Sequence, residues 1–152
     1  MTDGRPVVTL EFSSALEMLD VVQLVSDHVG RSVGLDDDSV HWVAVVTRES
    51  VINAIKHGNR GNPSKHVFVD FAVAESERCP ELRISVRDQG EGFDPATLPD
   101  PLAPDNLLKA HGRGIFLIRS FMDRVELRRV PGGGMEIVMA KRGIPPKRLE
   151  SE

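Results

Sequence analysis

Glu49, Asn53 and His57 follow one another at intervals of four in the run Arg48-Glu49-Ser50-Val51-Ile52-Asn53-Ala54-Ile55-Lys56-His57-Gly58-Asn59. At ~3.6 residues per turn that spacing stacks an acid, an amide and an imidazole on one face of a helix. Such a row could hold a metal and move a proton, or it could be the solvated face of an amphipathic helix. Asn53 asks for a reason of its own. Its amide competes with backbone hydrogen bonds, yet it stands between Ile52 and Ala54 in a stretch otherwise suited to a core.

Two glycine pairs lie further on. Asp88-Gln89-Gly90-Glu91-Gly92 directly follows an alternating apolar run. A carboxylate at a strand end can accept a hydrogen bond from an exocyclic amine, and Gly90 and Gly92 let the backbone approach a flat ligand with no Cβ in the way. The same residues would also make an ordinary tight turn. Gly112-Arg113-Gly114 precedes an apolar helical stretch, where free backbone N–H groups and the positive helix end suit an anionic phosphate.

The elements that must position these residues can be read from periodicity. Residues 7–12 form a strand. Ser14 and Glu17 make a capping-box pattern for a first helix, in which Leu16, Leu19, Val22, Val25 and Val29 recur at helical spacing as far as Gly30. Asp36 or a neighbouring acid caps a second helix, with Leu35 and Val40 placed as a hydrophobic staple, and Gly58-Asn59-Arg60-Gly61-Asn62-Pro63 stops it. Alternation at Val67, Val69, Phe71 and Val73, then at Leu82, Ile84 and Val86, predicts a hairpin. Continuing that period puts Asp88 at the rim of the buried face. Residues 95–111 contain Pro95, Pro99, Pro101 and Pro104, and a connection so long in one domain is expected to be a lid. A third helix is expected over residues 115–123, with Ile115, Ile118 and Met122 inward. A last hairpin, residues 125–130 and 135–141, turns at Pro131-Gly132-Gly133-Gly134.

Strands and helices in this order do not alternate strictly. The expected fold class is therefore α+β, a two-layer sandwich with helices on one face of a mixed, mostly antiparallel sheet whose other face is solvated or used in assembly. A chain of 152 residues fits one domain, expected over residues 1–143 with a polar tail at 144–152. Its 40% apolar and 28% charged residues suit a folded soluble protein, and a net charge of -4 disfavours direct nucleic-acid binding. Cys79 has no second cysteine to pair with, and no signal region or long apolar run appears, so a cytoplasmic protein without a membrane segment is expected.

Taken together, Glu49-x-x-x-Asn53, Asp88-x-Gly90-x-Gly92 and Gly112-x-Gly114 resemble the nucleotide-binding boxes of the GHKL ATP-binding fold. That superfamily includes gyrase, heat-shock-90 chaperones, sensor histidine kinases and mismatch-repair ATPases. Within it, residues 49–58 and 114–123 are most similar to bacterial anti-sigma factor serine kinases. The resemblance implies ATP or ADP as ligand, with Asn53 binding Mg2+ that bridges the phosphates and Glu49 as the general base for a serine hydroxyl. It implies that Asp88 receives the adenine amine, that Gly90 and Gly92 make room for the ring, and that Gly112, Arg113 and Gly114 hold phosphates. The implied partners are a STAS-type anti-sigma antagonist, phosphorylated on serine, a sigma factor sequestered in the other state, and a second copy in a homodimer.

Three positions depart from the family's pattern. Ala110 and His111 stand where many relatives have a basic and a small hydroxyl residue, and Met135 replaces a threonine common at the start of the last strand. His57 and His111 are additional imidazoles, and His57 is better read with Gly58 as the end of its helix. A function of another class, a nucleotide-gated binding module that switches partners without catalysis, fits the same residues. Glu49 separates the two.

Overall fold

The computed structural model describes residues 6–74, 80–92 and 110–143. Strand β1 (Pro6–Ser13) leads through a short 3-10 turn (Leu16–Met18) into α1 (Leu19–Ser32). Helix α2 (Asp37–Asn53) runs on as a π-turn (Ala54–Gly58) and is followed by β2 (His66–Ala74), β3 (Glu81–Arg87), α3 (Ala110–Phe121), β4 (Arg124–Arg129) and β5 (Met135–Arg142). The five strands form one sheet in the order β1-β2-β3-β5-β4, and all four pairings are antiparallel. The three helices cover one face, so the expected α+β sandwich is the observed one, with no parallel pair among the described strands.

The period-two pattern explains this layering. Val67, Val69 and Phe71 of β2 and Leu82 and Ile84 of β3 are fully buried, and the register sets Val69 opposite Val86 and Phe71 opposite Ile84. Helices α1 and α2 add Val22, Val29, Val43, Val46 and Val51 to that core, and α3 adds Ile118. Each such side chain contributes roughly 1.5–3 kcal/mol by leaving water. The opposite face carries a cross-strand row of Glu11, Phe68, Arg87, Glu136 and Arg128. There the Arg87 guanidinium lies 4.4 Å from the Phe68 ring centre, and Arg128 donates to Glu136 at 2.6 Å.

Local signals were read well at one helix end and poorly at others. Asp36 caps α2, its carboxylate accepting from the Ser39 N–H at 2.7 Å, and that bond holds the Asp36 carboxyl below its usual range. Ser14 caps nothing. Its hydroxyl donates to the Lys65 carbonyl at 2.8 Å and accepts from Asn59 Nδ2 at 3.0 Å, tying the chain before α1 to the loop before β2. Helix α1 also runs past Gly30, because the left-handed turn falls at Gly34 (φ 85°), where Leu35 N–H bonds to the Gly30 carbonyl. A Cβ at Gly30 would make only ordinary contact with the tips of Leu35 and Val40, each 3.5 Å away.

Helix α3 begins five residues earlier than expected, taking Gly112 and Gly114 into the helix and ending at Phe121. Phe121 stacks on Trp42 of α2 with ring centres 4.0 Å apart and planes within 3°. That contact anchors the end of α3 remote from its glycines. Most of the expected lid, residues 95–109, Cys79 and the tail at 144–152 fall outside the described residues.

Candidate functional site

Helix α2 carries Glu49 and Asn53 one turn apart, both half-buried, on the side that meets α3. Gly114 of α3 comes down on them so closely that a Cβ there would stand 2.8 Å from Glu49 Oε1 and 3.1 Å from Asn53 Nδ2. The acid, the amide and the second glycine pair are thus one cluster. Beyond Asn53 the ladder widens, with Asn59 N–H reaching back five residues to the Ala54 carbonyl at 2.8 Å. A π-turn of this kind inserts an extra residue into the winding, and His57 on it lines the same cavity as Asn53.

Asp88 closes the other end. It is 7% exposed, and its Oδ1 accepts from the Gly90 N–H at 2.9 Å and from the Met135 N–H at 3.1 Å. Burial pushes its carboxyl above the usual aspartate range, against the opposing effect of those two bonds and of Lys65. The carboxylate rests on the Cα of Gly58, where an ideal Cβ would fall 2.1 Å from Oδ2. A Cβ on Gly90 would likewise meet the Gly58 carbonyl at 2.0 Å, and one on Gly134 the Asp88 carbonyl at 2.1 Å. Three backbone segments are in contact around one acid, and only glycine permits it.

Between these ends lies a cavity of about 370 Å³. Val86, Leu127, Met135 and Ile137 from the sheet and Ile115 and Ile118 from α3 give it an apolar wall, while Asn53, His57, Arg60, Asp88 and Glu91 supply polar groups. An apolar slot with a few converging polar groups suits a small organic ligand. Of the residues singled out by sequence, Asn53, Asp88 and Gly92 line the cavity, Gly90 packs behind Asp88, and Glu49 and Gly114 adjoin Asn53. Gly112 and Arg113 lie in the first turns of α3; their side-chain surroundings are outside the described residues.

Sequence reasoning missed Ser50, Arg60, Glu91, Leu127 and Ile137 as lining residues, and it set His57 aside although His57 lines the cavity. Ser50 was legible in part, being one position past Glu49; here its hydroxyl donates to the Val46 carbonyl at 2.9 Å and lies 3.3 Å from Met139 Sδ. Leu127 and Ile137 are ordinary strand residues, and nothing local marks them.

The sequence matches the family described as histidine kinase-like ATPase domain over residues 12–141. The chain belongs to that family. Curated relatives of this ATPase domain include the serine-protein kinase RsbW of Staphylococcus aureus, 26% identical over 139 residues that cover 87% of this chain and 85% of the relative. The protein of the same name from Oceanobacillus iheyensis is 28% identical over 131 residues, covering 82% and 79%. Among solved structures, the nucleotide-free catalytic domain of the histidine kinase ThkA matches with a TM-score of 0.53 at 15% identity, over 93% of this chain and 100% of that one. At that identity the structural match speaks for the fold alone. Membership of the histidine kinase-like ATPases implies nucleotide binding. Among the described residues no helix is long and apolar enough to cross a membrane.

Proposed function

We propose that this protein is an ATP-dependent serine/threonine kinase that phosphorylates a serine of a STAS-type anti-sigma antagonist and, in its other state, sequesters a sigma factor. The observation that carries the reading is the meeting of Glu49, Asn53 and Gly114 at one end of a cavity whose other end is the buried Asp88. Asp88 accepts the adenine exocyclic N–H, and the packing of Gly58, Gly90 and Gly134 around it fixes the depth at which the ring sits. Gly112, Arg113 and Gly114 hold the phosphates. Glu49 takes the proton from the serine Oγ as that oxygen attacks the γ-phosphorus; the bond from that phosphorus to the bridging oxygen breaks and ADP leaves. Asn53 would hold magnesium through its one amide oxygen, a hard donor of the kind that ion prefers. The chemistry supplied by that ion would be neutralisation of phosphate charge during transfer.

Val7, Leu16, Val21 and Leu24 are large apolar side chains left exposed on β1, the 3-10 turn and α1, which supports a homodimer through that edge. With those partners the protein would act in the cytoplasm, regulating transcription. The test uses labelled ATP, magnesium and a genomically linked antagonist. Wild type labels a serine of the antagonist, and Glu49→Gln lowers the rate about 1,000-fold, within the range expected of a general base, while nucleotide affinity is retained. Equal transfer by the two proteins would remove Glu49 from the chemistry. Nucleotide binding with no transfer by either would leave the nucleotide-gated binding module in place of the kinase.

A further inference from the structure

Arg60 carries the one positive φ found outside glycine among the described residues, 52°. That left-handed region disfavours a side chain, and glycine or asparagine is its usual occupant. The conformation is imposed by Asn59. Buried at 1%, Asn59 donates through Nδ2 to Ser14 Oγ at 3.0 Å and the His66 carbonyl at 2.9 Å, and accepts the Gln89 N–H on Oδ1 at 2.8 Å. Gly61 N–H returns to the Ile55 carbonyl at 2.8 Å. The backbone on both sides of Arg60 is therefore fixed to the helix end, to β2 and to the segment after β3.

So held, Arg60 lines the cavity together with Glu91, and its Nη2 lies 3.7 Å from Glu91 Oε2. Glu91 is itself approached from β4, where Arg129 Nη2 lies 3.4 Å from its carbonyl. The Arg60 and Glu91 side chains are 77% and 82% exposed, and an ion pair so open to water contributes little to stability. Stability of the fold therefore does not explain an arginine where glycine would be easier. Its position does. Gly58, two residues earlier, touches the Asp88 carboxylate, whereas Glu49, Asn53 and Gly114 cluster at the opposite end. Among the described lining residues the one ring is the His57 imidazole, no Phe or Trp is there, and the sheet side carries Val86, Leu127, Met135 and Ile137.

We propose that Arg60 and Glu91 close over the outer face of a nucleobase seated on Asp88, with the guanidinium flat against the ring and the Glu91 carboxylate holding it there. Arg60 is then a determinant of base affinity and not of phosphate binding, an assignment that rests on the nucleotide reading above. A guanidinium is planar, delocalised and weakly hydrated, and it stacks on aromatic faces, whereas a lysine ammonium is a point charge.

Calorimetric titration of the full chain with ADP and with adenosine tests the assignment. Arg60→Ala weakens both ligands by the same factor, about 10-fold, with the salt dependence of ADP binding unchanged. Arg60→Lys restores little of the loss. Arg60→Gly, which suits the positive φ, binds as weakly as Arg60→Ala but melts no lower than wild type, separating the ligand contact from the fold. Unchanged affinity in Arg60→Ala overturns the proposal, as does a loss much larger for ADP than for adenosine that fades with added salt, the mark of a phosphate contact. Wild-type protein that binds no ADP at millimolar concentration overturns the nucleotide reading itself, and this assignment with it.

Discussion

Gly90 with Gly92, and Gly112 with Gly114, share a spacing but not a physical reason. At Gly90 and Gly92 the neighbours are backbone: the Gly58 carbonyl stands 2.0 Å from an ideal Cβ on the first and the Gly134 carbonyl 2.9 Å from one on the second, which also has a φ of 75°. At Gly114 the neighbours are the tips of two side chains, Glu49 Oε1 and Asn53 Nδ2, and the residue sits in a helix. Backbone against backbone cannot yield, whereas a carboxylate tip can swing. The Asp88 end of the cavity, proposed to take the base, is thus a fixed mould. The end at Gly114, proposed to take the phosphates, is adjustable, and glycines that each cost about 1 kcal/mol of helix stability relative to alanine make the start of α3 easy to remodel. A rigid ring and a flexible phosphate chain ask for that division.

The largest effect is expected at the fixed end. Gly90→Ala forces a methyl into the Gly58 carbonyl, with a cost of about 3 kcal/mol or more and a fall in Tm of roughly 10 °C. A melt coincident with wild type would show that the segment can give after all, and the contrast would collapse.

Asp88→Asn comes next and should split stability from binding. Because burial raises the Asp88 carboxyl in the folded state, the folded protein holds that proton more tightly than the unfolded chain does. The stability this contributes is complete below the unfolded value of ~4 and is lost as pH rises from there through the higher folded value. At pH 7 the asparagine variant, which can still accept from Gly90 and Met135, is expected to melt above wild type, with the gap closing towards pH 4. Its affinity for adenine nucleotides should fall about 100-fold through loss of a charge-assisted bond. A variant no more stable than wild type at pH 7 would contradict the burial argument.

The smallest effect on the fold is expected at the adjustable end. Gly114→Ala crowds Glu49 and Asn53 but adds helix propensity, so stability should stay within about 1 kcal/mol of wild type while phosphoryl transfer drops roughly 10-fold through misplacement of those two side chains. A loss of stability equal to that of Gly90→Ala would mean that the two pairs are alike.

Much of the architecture was legible because it is local. Alternation at Val67 to Phe71 and at Leu82 to Val86 encodes strands whatever they pair with, and Asp36 caps α2 through its own next turn. The readings that failed turned on partners distant in sequence. Ser14 looked like a cap, but its hydroxyl donates to the Lys65 carbonyl and accepts from Asn59, 51 and 45 residues away. In the site, Glu49, Asn53 and Asp88 announced themselves by type and spacing, whereas Arg60 did not, since neither its backbone strain nor the Glu91 opposite it is visible before the loop is folded.

By itself, then, the sequence determined the two-layer α+β class, the strand and helix faces, and three chemically distinct boxes, because periodicity and residue type act within a few residues of one another. Only the tertiary structure decided the strand order β1-β2-β3-β5-β4, the contact of Gly58 with Asp88, and the descent of Gly114 onto Glu49 and Asn53. Those depend on which apolar faces bury one another, and that is a property of the whole core.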